Sequence, residues 1–375
     1  MALASSPVAL RQLCVSCAQA CCGKAPGPIK VEKITKDGGK FIQQPDGRIV
    51  EYFLYGSEDP SARVLVQCPG SMATGYHNTG LPKLCAKLKE LNIRGVSVSM
   101  AGYGFTSWRS DFRLCDYAVD VEAVLKAEGI TGPLMVEGAS YGAGLAAAVA
   151  HRFGERCTHL HVRAFRIPGI PPARVHQTAR CRCSSQVMVP YIPHELRQEL
   201  GFTGIDLKGQ DDACLDKDSA YFDSCGSCCT HCCCFCQLCC LLRCCPGVLA
   251  DEGTKKTEAE APGFYDNFVK DVRRCGWDGA NAYGVAHNIA GGLISRNWGF
   301  DLKELKTKAV MISYCEGDLQ CPTAHAKWLI DHFEKAGAKV EVSIGGDANA
   351  GKNQHGVGQM HKLTTGESVA KLASL

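Results

Sequence analysis

The sequence predicts an α/β fold with a mostly parallel central sheet, flanked by helices and carrying a lid insertion. Two observations predict it. Short apolar or β-branched runs alternate with amphipathic helical stripes from Arg63 to Phe165, a rhythm that is typical of strand–helix–strand units. The alternation stops after Pro168 and resumes at Lys308. One sheet domain interrupted by one insertion accounts for both observations.

The composition is that of an ordinary globular protein. The 375 residues are 46% hydrophobic and 21% charged, with a net charge of +3, which excludes collagen-like, coiled-coil and wholly disordered chains. The concentrated basic excess of a dedicated nucleic-acid-binding protein is missing, so we expect no nucleic-acid partner. Arg11 interrupts the only N-terminal stretch that could serve as a signal peptide. We therefore expect a cytoplasmic, reducing location in which most cysteines are free thiols.

The chain divides into four parts. Residues 1–28 are interpreted as a mobile tail with four cysteines, and residues 29–168 as the first part of the sheet domain. Residues 169–297 form the cysteine-rich lid, here called the insertion, and residues 298–375 return to the sheet domain.

The predicted elements follow from periodicity and turn chemistry. The first strands are separated by Asp-Gly turns, which predicts an antiparallel entry to the sheet. Apolar runs then give strands, and stripes with helical spacing give helices. The strands are predicted at Val31–Thr35, Phe41–Gln43, Ile49–Tyr55, Arg63–Gln67, Val96–Met100, Pro133–Glu137, Leu160–Phe165, Lys308–Cys315 and Lys339–Ile344, and the helices at Tyr76–Leu91, 114–125, Gly142–Phe153, Pro322–Ala336 and Thr365–Leu375.

A G-x-S-x-G pattern, Gly138 to Gly142, lies where a buried strand meets a helix rich in small residues. In that context the pattern indicates a sharp turn that presents the Ser140 hydroxyl above the sheet. The amides at the helix start favour negative charge that develops nearby. Ser140 is therefore the candidate nucleophile; the alternative is a tightly packed strand–helix turn without chemistry.

This arrangement resembles the α/β-hydrolase family, in its serine esterase and lipase branch. The resemblance covers the chain from about residue 40 to its end, without the insertion. It rests on the G-x-S-x-G motif, on the segments 46–48 and 68–71, on the Gly-Tyr-Gly turn in 101–106, and on 298–302. The resemblance implies a Ser–acid–His triad in that chain order, and no cofactor.

The acid that the family pattern implies is Asp318, because it follows a strand and precedes Pro322 in D-x-x-x-P spacing. A carboxylate at the end of a strand is well placed to orient an imidazole. Its alternative role is to cap the helix that starts near Pro322. Glu316 is the neighbouring alternative acid.

The base is implied to lie after the last strand, which leaves His355 or His361. His355 is nearer that strand and is preferred, whereas His361 is closer to the final helix. His325 and His332 lie on the helix after the acid and are expected at the surface.

Two backbone amides are expected to form the oxyanion hole. One belongs to Tyr141, which follows the nucleophile, and the other to Gly70 or Ser71. Pro69 has no N–H and cannot donate.

Eleven of the 25 cysteines lie between Cys225 and Cys245. Four interpretations compete: a zinc site, S-acylation that would give peripheral membrane attachment, disulfides, and a low-complexity loop without a site. Eleven adjacent cysteines specify no unique set of four ligands, so no metal site is assigned.

Together these features predict hydrolysis of an ester or thioester in a small-molecule or acyl substrate, through an acyl-enzyme. The same triad also serves acyltransferases, peptidases and carbon–carbon hydrolases. A non-catalytic, membrane-associated binding protein is the alternative from another class.

Overall fold

The described strands confirm the predicted α/β architecture. The computed structural model describes residues 38–70, 73–109, 111–165, 257–274, 298–318, 321, 323–347, 357 and 359–375. Its strands are β1 (Lys40–Gln43), β2 (Ile49–Gly56), β3 (Arg63–Cys68), β4 (Ile93–Val98), β5 (Leu134–Ala139), β6 (Cys157–Arg163), β7 (Ala309–Glu316) and β8 (Lys339–Gly346). Within these ranges they form one eight-stranded sheet in the order β1-β2-β4-β3-β5-β6-β7-β8.

The sheet begins antiparallel and continues parallel, as predicted. β1 and β2 form a hairpin whose turn is closed by a bond from the Gln44 amide to the Arg48 carbonyl oxygen (2.7 Å). β2 pairs antiparallel with β4, and every further pairing from β4 to β8 is parallel. His159 on β6 pairs with Ala309 on β7, so the sheet is continuous across the segment that contains the insertion.

Helices cover both faces of the sheet. One apolar layer includes Val136, Leu145 and Leu329, and the other includes Leu65, Leu84 and Leu372. The helices are α1 (Pro82–Glu90), α2 (Leu114–Ala127), α3 (Tyr141–Phe153), α4 (Phe264–Arg273), α5 (Thr323–Lys335), α6 (Met360–Thr364) and α7 (Glu367–Ala373). The first layer packs α2, α3 and α5 on the sheet, and the second packs α1 and α7.

Three element boundaries differ from the prediction for local reasons. The predicted helix over Tyr76–Leu91 is divided into a 3₁₀ turn (His77–Gly80) and α1, because Pro82 starts a new helix and Leu81 is extended. The final helix, predicted over Thr365–Leu375, begins at Glu367 after Gly366, which has a φ of 80°, and the short α6 precedes it. β4 begins at Ile93, three residues before the predicted start at Val96. The prediction missed these residues because Arg94 and Gly95 interrupt the apolar pattern. The predicted strand Val31–Thr35 lies outside the described residues.

Candidate active site

Three candidate site residues lie at one edge of the sheet. Gly70 follows β3, Ser140 follows β5 and Asp318 follows β7. The strands from β3 through β5 and β6 to β7 are parallel neighbours, so their carboxyl ends meet at the same edge. In open α/β sheets this edge is where ligands bind.

Ser140 occupies an unusual backbone conformation. Its φ is 54° and its ψ is −121°, a region that costs a residue with a side chain about 1–3 kcal/mol. The Ser140 amide donates to the Arg163 carbonyl oxygen on β6 (2.8 Å), and the Ala143 amide donates to the Ser140 carbonyl oxygen (3.0 Å). These bonds hold the strained residue between the end of β5 and the first turn of α3. Ser140 is half-buried, and Tyr141 follows it as the first residue of α3.

The glycines of the G-x-S-x-G motif are required by close backbone contacts. A Cβ on Gly138 would lie 2.0 Å from the Gly142 carbonyl oxygen, and a Cβ on Gly142 would lie 2.4 Å from the Cys68 carbonyl oxygen. Gly138 therefore allows the end of β5 to approach the first turn of α3, and Gly142 allows the loop after β3 to approach that turn. A Cβ on Gly70 would lie 3.4 Å from the Ala139 carbonyl oxygen, which places this oxyanion candidate beside the Ser140 turn.

Asp318 is buried, whereas Glu316 is exposed. Asp318 has 5% of its surface exposed, and its Oδ1 accepts a hydrogen bond from the Cys321 amide (2.9 Å) just before α5. This contact matches the alternative role of Asp318 at the helix start. A carboxylate has two oxygens and several acceptor positions, so the contact is also compatible with orienting an imidazole.

The histidines are only partly within the described residues. His361 lies on α6, but its side chain falls outside the described residues, as do His355 and Ser71. The expectation that His325 is a surface residue is wrong, because only 1% of it is exposed. It lies one helical turn before the buried Leu329 on the stripe of α5 that faces the sheet. His332 is half-buried, and its ring stacks on that of Trp328 at 5.5 Å.

A buried charge network lies across the sheet close to the Ser140 turn. Arg163 and Gln67 both donate to the Glu137 carboxylate, the latter over 2.9 Å. The Nδ1 atom of His161 is 3.2 Å from Glu137 Oε1, and its Nε2 is 2.8 Å from the Ser313 hydroxyl oxygen. Burial opposes the charge of Glu137, but Arg163 and His161 lower the pKa of its carboxyl to about 2. Burial lowers the pKa of His161 to about 4.

Two further buried pairs connect α4 to the sheet domain. Arg274, at the end of α4, donates to the Glu51 carboxylate on β2. The Asp271 carboxylate accepts hydrogen bonds from Thr74, just beyond the loop after β3. Sequence reasoning did not identify these groups or the Glu137 network. A charged residue inside an otherwise apolar strand, such as Glu137 in PLMVE, is the signal that could have indicated them.

The six cysteines in the described ranges are free thiols, and four of them are buried. Burial raises the pKa of the Cys68 thiol, and it raises that of Cys157 to about 12. Such thiols are protonated at neutral pH and behave as small apolar side chains. The Cys225–Cys245 cluster lies outside the described residues.

Neither a membrane-spanning helix nor a metal-binding cluster is present in the described ranges. No helix there combines the length and apolar character needed to cross a bilayer. No group of three or more His, Cys, Asp or Glu side chains there could hold a metal ion.

Comparison with known proteins identifies the fold through structure rather than through sequence. No established family profile matches the chain, and no curated protein matches its sequence. Solved structures do match it. The enol-lactonase from Burkholderia xenovorans LB400 is 12% identical, with a TM-score of 0.52; the match covers 90% of this chain and 100% of that one.

Two other solved structures are similar to the same extent. Est816, an N-acyl homoserine lactone degrading enzyme, is 14% identical, with a TM-score of 0.52 and coverage of 89% of this chain and 99% of its own. A thermophilic esterase from Thermogutta terrifontis is 14% identical, with a TM-score of 0.50; the match covers 90% of this chain and 96% of that one. With its sheet order and flanking helices, the chain therefore has the α/β-hydrolase fold.

Proposed function

We propose that the protein is a serine hydrolase that cleaves an ester or thioester through an acyl-enzyme on Ser140. The observation that carries the proposal is the backbone of Ser140, with its φ of 54° between β5 and α3. A strained serine held by neighbouring strands at the carboxyl edge of the sheet has the conformation of a nucleophile elbow. A turn that only packed strand against helix would be relieved by a glycine at this position.

The proposed reaction has two halves. The Ser140 hydroxyl oxygen attacks the substrate carbonyl carbon while His355 or His361 takes the hydroxyl proton, and Asp318 orients the imidazole. The amides of Tyr141 and of Gly70 or Ser71 donate to the oxyanion, which stabilises the tetrahedral intermediate. The intermediate expels the alcohol or thiol, which receives the proton from the imidazolium. Water then attacks the acyl-enzyme by the same steps, which releases the acid and restores Ser140.

The solved structures support the substrate class. An enol-lactonase, an esterase and an N-acyl homoserine lactone degrading enzyme share this fold. Lactones are cyclic esters, so the names of the enol-lactonase and the esterase describe one kind of bond. This likeness supports the proposal that the substrate is a carboxylic ester or thioester.

A fluorophosphonate probe tests the nucleophile. The serine oxygen displaces fluoride from phosphorus, so an activated serine acquires a stable phosphonyl group. We expect labelling of the wild-type protein on the peptide that contains Ser140, and none of Ser140→Ala. Labelling on another peptide, or no labelling of a folded wild-type protein, would overturn the assignment and favour the non-catalytic binding protein.

Single substitutions identify the base. His355→Ala and His361→Ala should differ, with the loss of kcat confined to the variant that removes the base. Suitable substrates come from a screen of p-nitrophenyl esters and acyl thioesters of graded chain length. Equal, near-wild-type kcat values in both variants would contradict the triad.

A further inference from the structure

In the loop after β3, a backbone hydrogen bond joins the residues Gly70 and Ala73. Gly70, one candidate oxyanion donor, accepts a hydrogen bond at its carbonyl oxygen from the Ala73 amide (3.3 Å). Thr74 follows directly and is fully buried. Any group that fixes Thr74 therefore fixes the end of the turn that starts at Gly70.

Asp271 on α4 holds Thr74 by its backbone and by its side chain. The Thr74 amide donates to Asp271 Oδ2 (3.1 Å) and Oδ1 (3.2 Å), and the Thr74 hydroxyl donates to Oδ1 (2.5 Å). The carboxylate is 1% exposed, and a buried carboxylate is tolerated only when hydrogen bonds replace its lost hydration. The Nδ1 atom of His77 is 3.5 Å from the same carboxylate.

Arg274, one turn further along, holds the other side of the same segment. Its guanidinium donates to Glu51, whose second carboxylate oxygen accepts from the Ser99 hydroxyl (2.7 Å). The Ser99 hydroxyl oxygen in turn accepts from the Gly75 amide (3.0 Å). The adjacent residues Thr74 and Gly75 are therefore linked to two opposite charges three positions apart on one helix. Thr74 bonds directly to Asp271, and Gly75 reaches Arg274 through Ser99 and Glu51.

The remainder of α4 is fitted to the sheet domain at a second place. The Asn267 amide group donates to the His77 carbonyl oxygen (2.8 Å), and a Cβ on Gly80 would lie 1.6 Å from Asn267 Oδ1. The His77 ring meets the Phe264 ring edge to face at 6.0 Å. These contacts fix α4 independently of Asp271, so the helix can stay docked when that carboxylate is changed.

We infer that Asp271 is a positioning residue: a carboxylate from the predicted insertion that sets the Gly70 amide, a candidate oxyanion donor, at the distance the tetrahedral intermediate requires. The inference rests on the proposed function. An oxyanion donor is effective only when it is preorganised before charge develops. Asp271 acts through Thr74 and the turn that begins at Gly70, and it does not touch the substrate in this role.

Asp271→Asn tests the inference, with Asn267→Ala as the matched control. The asparagine retains the size and one acceptor oxygen, but it removes the negative charge and replaces the second acceptor oxygen with an NH₂ donor. The control removes a buried hydrogen bond from the same helix. With an ester that the wild type hydrolyses, D271N should lower kcat about 10- to 100-fold. KM should change by less than about twofold, and so should the kcat of N267A. Thermal unfolding of each variant measures its structural cost.

Substitutions of Thr74 provide a second test of the inference, which does not require D271N to fold. Thr74→Val removes the hydroxyl donor and should lower kcat, whereas Thr74→Ser keeps the donor and should restore it. The double variant D271N/T74V should lose no more than D271N alone, because both changes remove one interaction. Additive losses would place the two residues in separate roles and overturn the inference.

The outcomes separate this inference from the proposed function. If the wild type is labelled at Ser140 and D271N keeps its kcat, the positioning role of Asp271 is wrong and the serine hydrolase stands. The same holds if N267A loses as much kcat as D271N at an equal loss of Tm. If the folded wild type is not labelled at Ser140, both fail together.

Discussion

The Glu137→Gln substitution tests the buried charge network close to the Ser140 turn. Glu137 and Arg163 are 1% and 4% exposed, so the change removes the carboxylate that this buried guanidinium contacts. Breaking one side of a buried ion pair costs about 3–5 kcal/mol of unfolding free energy. The pKa of Glu137 gives a second value for this free energy. Its fall from 4.5 to about 2 corresponds to about 3 kcal/mol.

The pH dependence gives this prediction its sign. Because the pKa of Glu137 is lower in the folded state, its stabilisation is present above pH 4.5 and is lost as the pH falls toward 2. Urea denaturation near neutral pH should show E137Q less stable by about 3–5 kcal/mol. The difference in unfolding free energy between E137Q and wild type should be about 1 kcal/mol smaller at about pH 3.5 than near neutral pH.

The matched control is Glu122→Gln, which breaks an exposed pair with Arg152 whose N–O distance is 2.6 Å. It should cost no more than about 0.5 kcal/mol. If E137Q lowers the unfolding free energy by less than about 1 kcal/mol, the conclusion that the Glu137 network stabilises the fold is refuted. A difference that is the same at both pH values would refute the assigned pKa.

Three further predictions concern the turn, the acid and the cysteine cluster. Gly138→Ala should abolish folding or lower Tm steeply, because its Cβ would lie 2.0 Å from the Gly142 carbonyl oxygen; Gly132→Ala, with nothing within 4 Å, should leave Tm unchanged. A mild effect of Gly138→Ala in a melting experiment would contradict the described turn. Asp318→Asn should lower kcat by about 10⁴ with little change in Tm, and retained kcat would leave Asp318 only its bond to the helix start. Mass spectrometry should find hydroxylamine-sensitive lipid on Cys225–Cys245 if these cysteines are acylated, whereas stoichiometric zinc would favour a metal site.

Local patterns predicted most of the sheet and the place of the candidate nucleophile. Strands such as β3 and β5 are short apolar runs, which are consistent with buried parallel strands, and their short length and flanking turn residues distinguish them from buried helices. The Ser140 turn was also predictable, since Gly138 and Gly142 are required by backbone contacts between elements that adjoin in sequence.

The buried charges could not be predicted in the same way. Glu137 pairs with Arg163 across 26 positions, and Asp271 bonds to Thr74 across 197. No local pattern relates such residues, because their proximity results from the crossover of the chain. His325 was misplaced for a related reason: its burial depends on which stripe of α5 faces the sheet.

The contacts of α4 with the sheet limit how far the segment between β6 and β7 can be removed or exchanged. Glu51 is fully buried and contacts Arg274, which lies in the segment between β6 and β7. A shortened chain without that segment would leave this carboxylate buried beside a vacant apolar surface, a costly arrangement. We therefore expect α4, the described helix of that segment, to unfold together with the sheet. Chimaeras that transplant it among proteins of this fold should retain the acid–base pair with Glu51 if they are to fold.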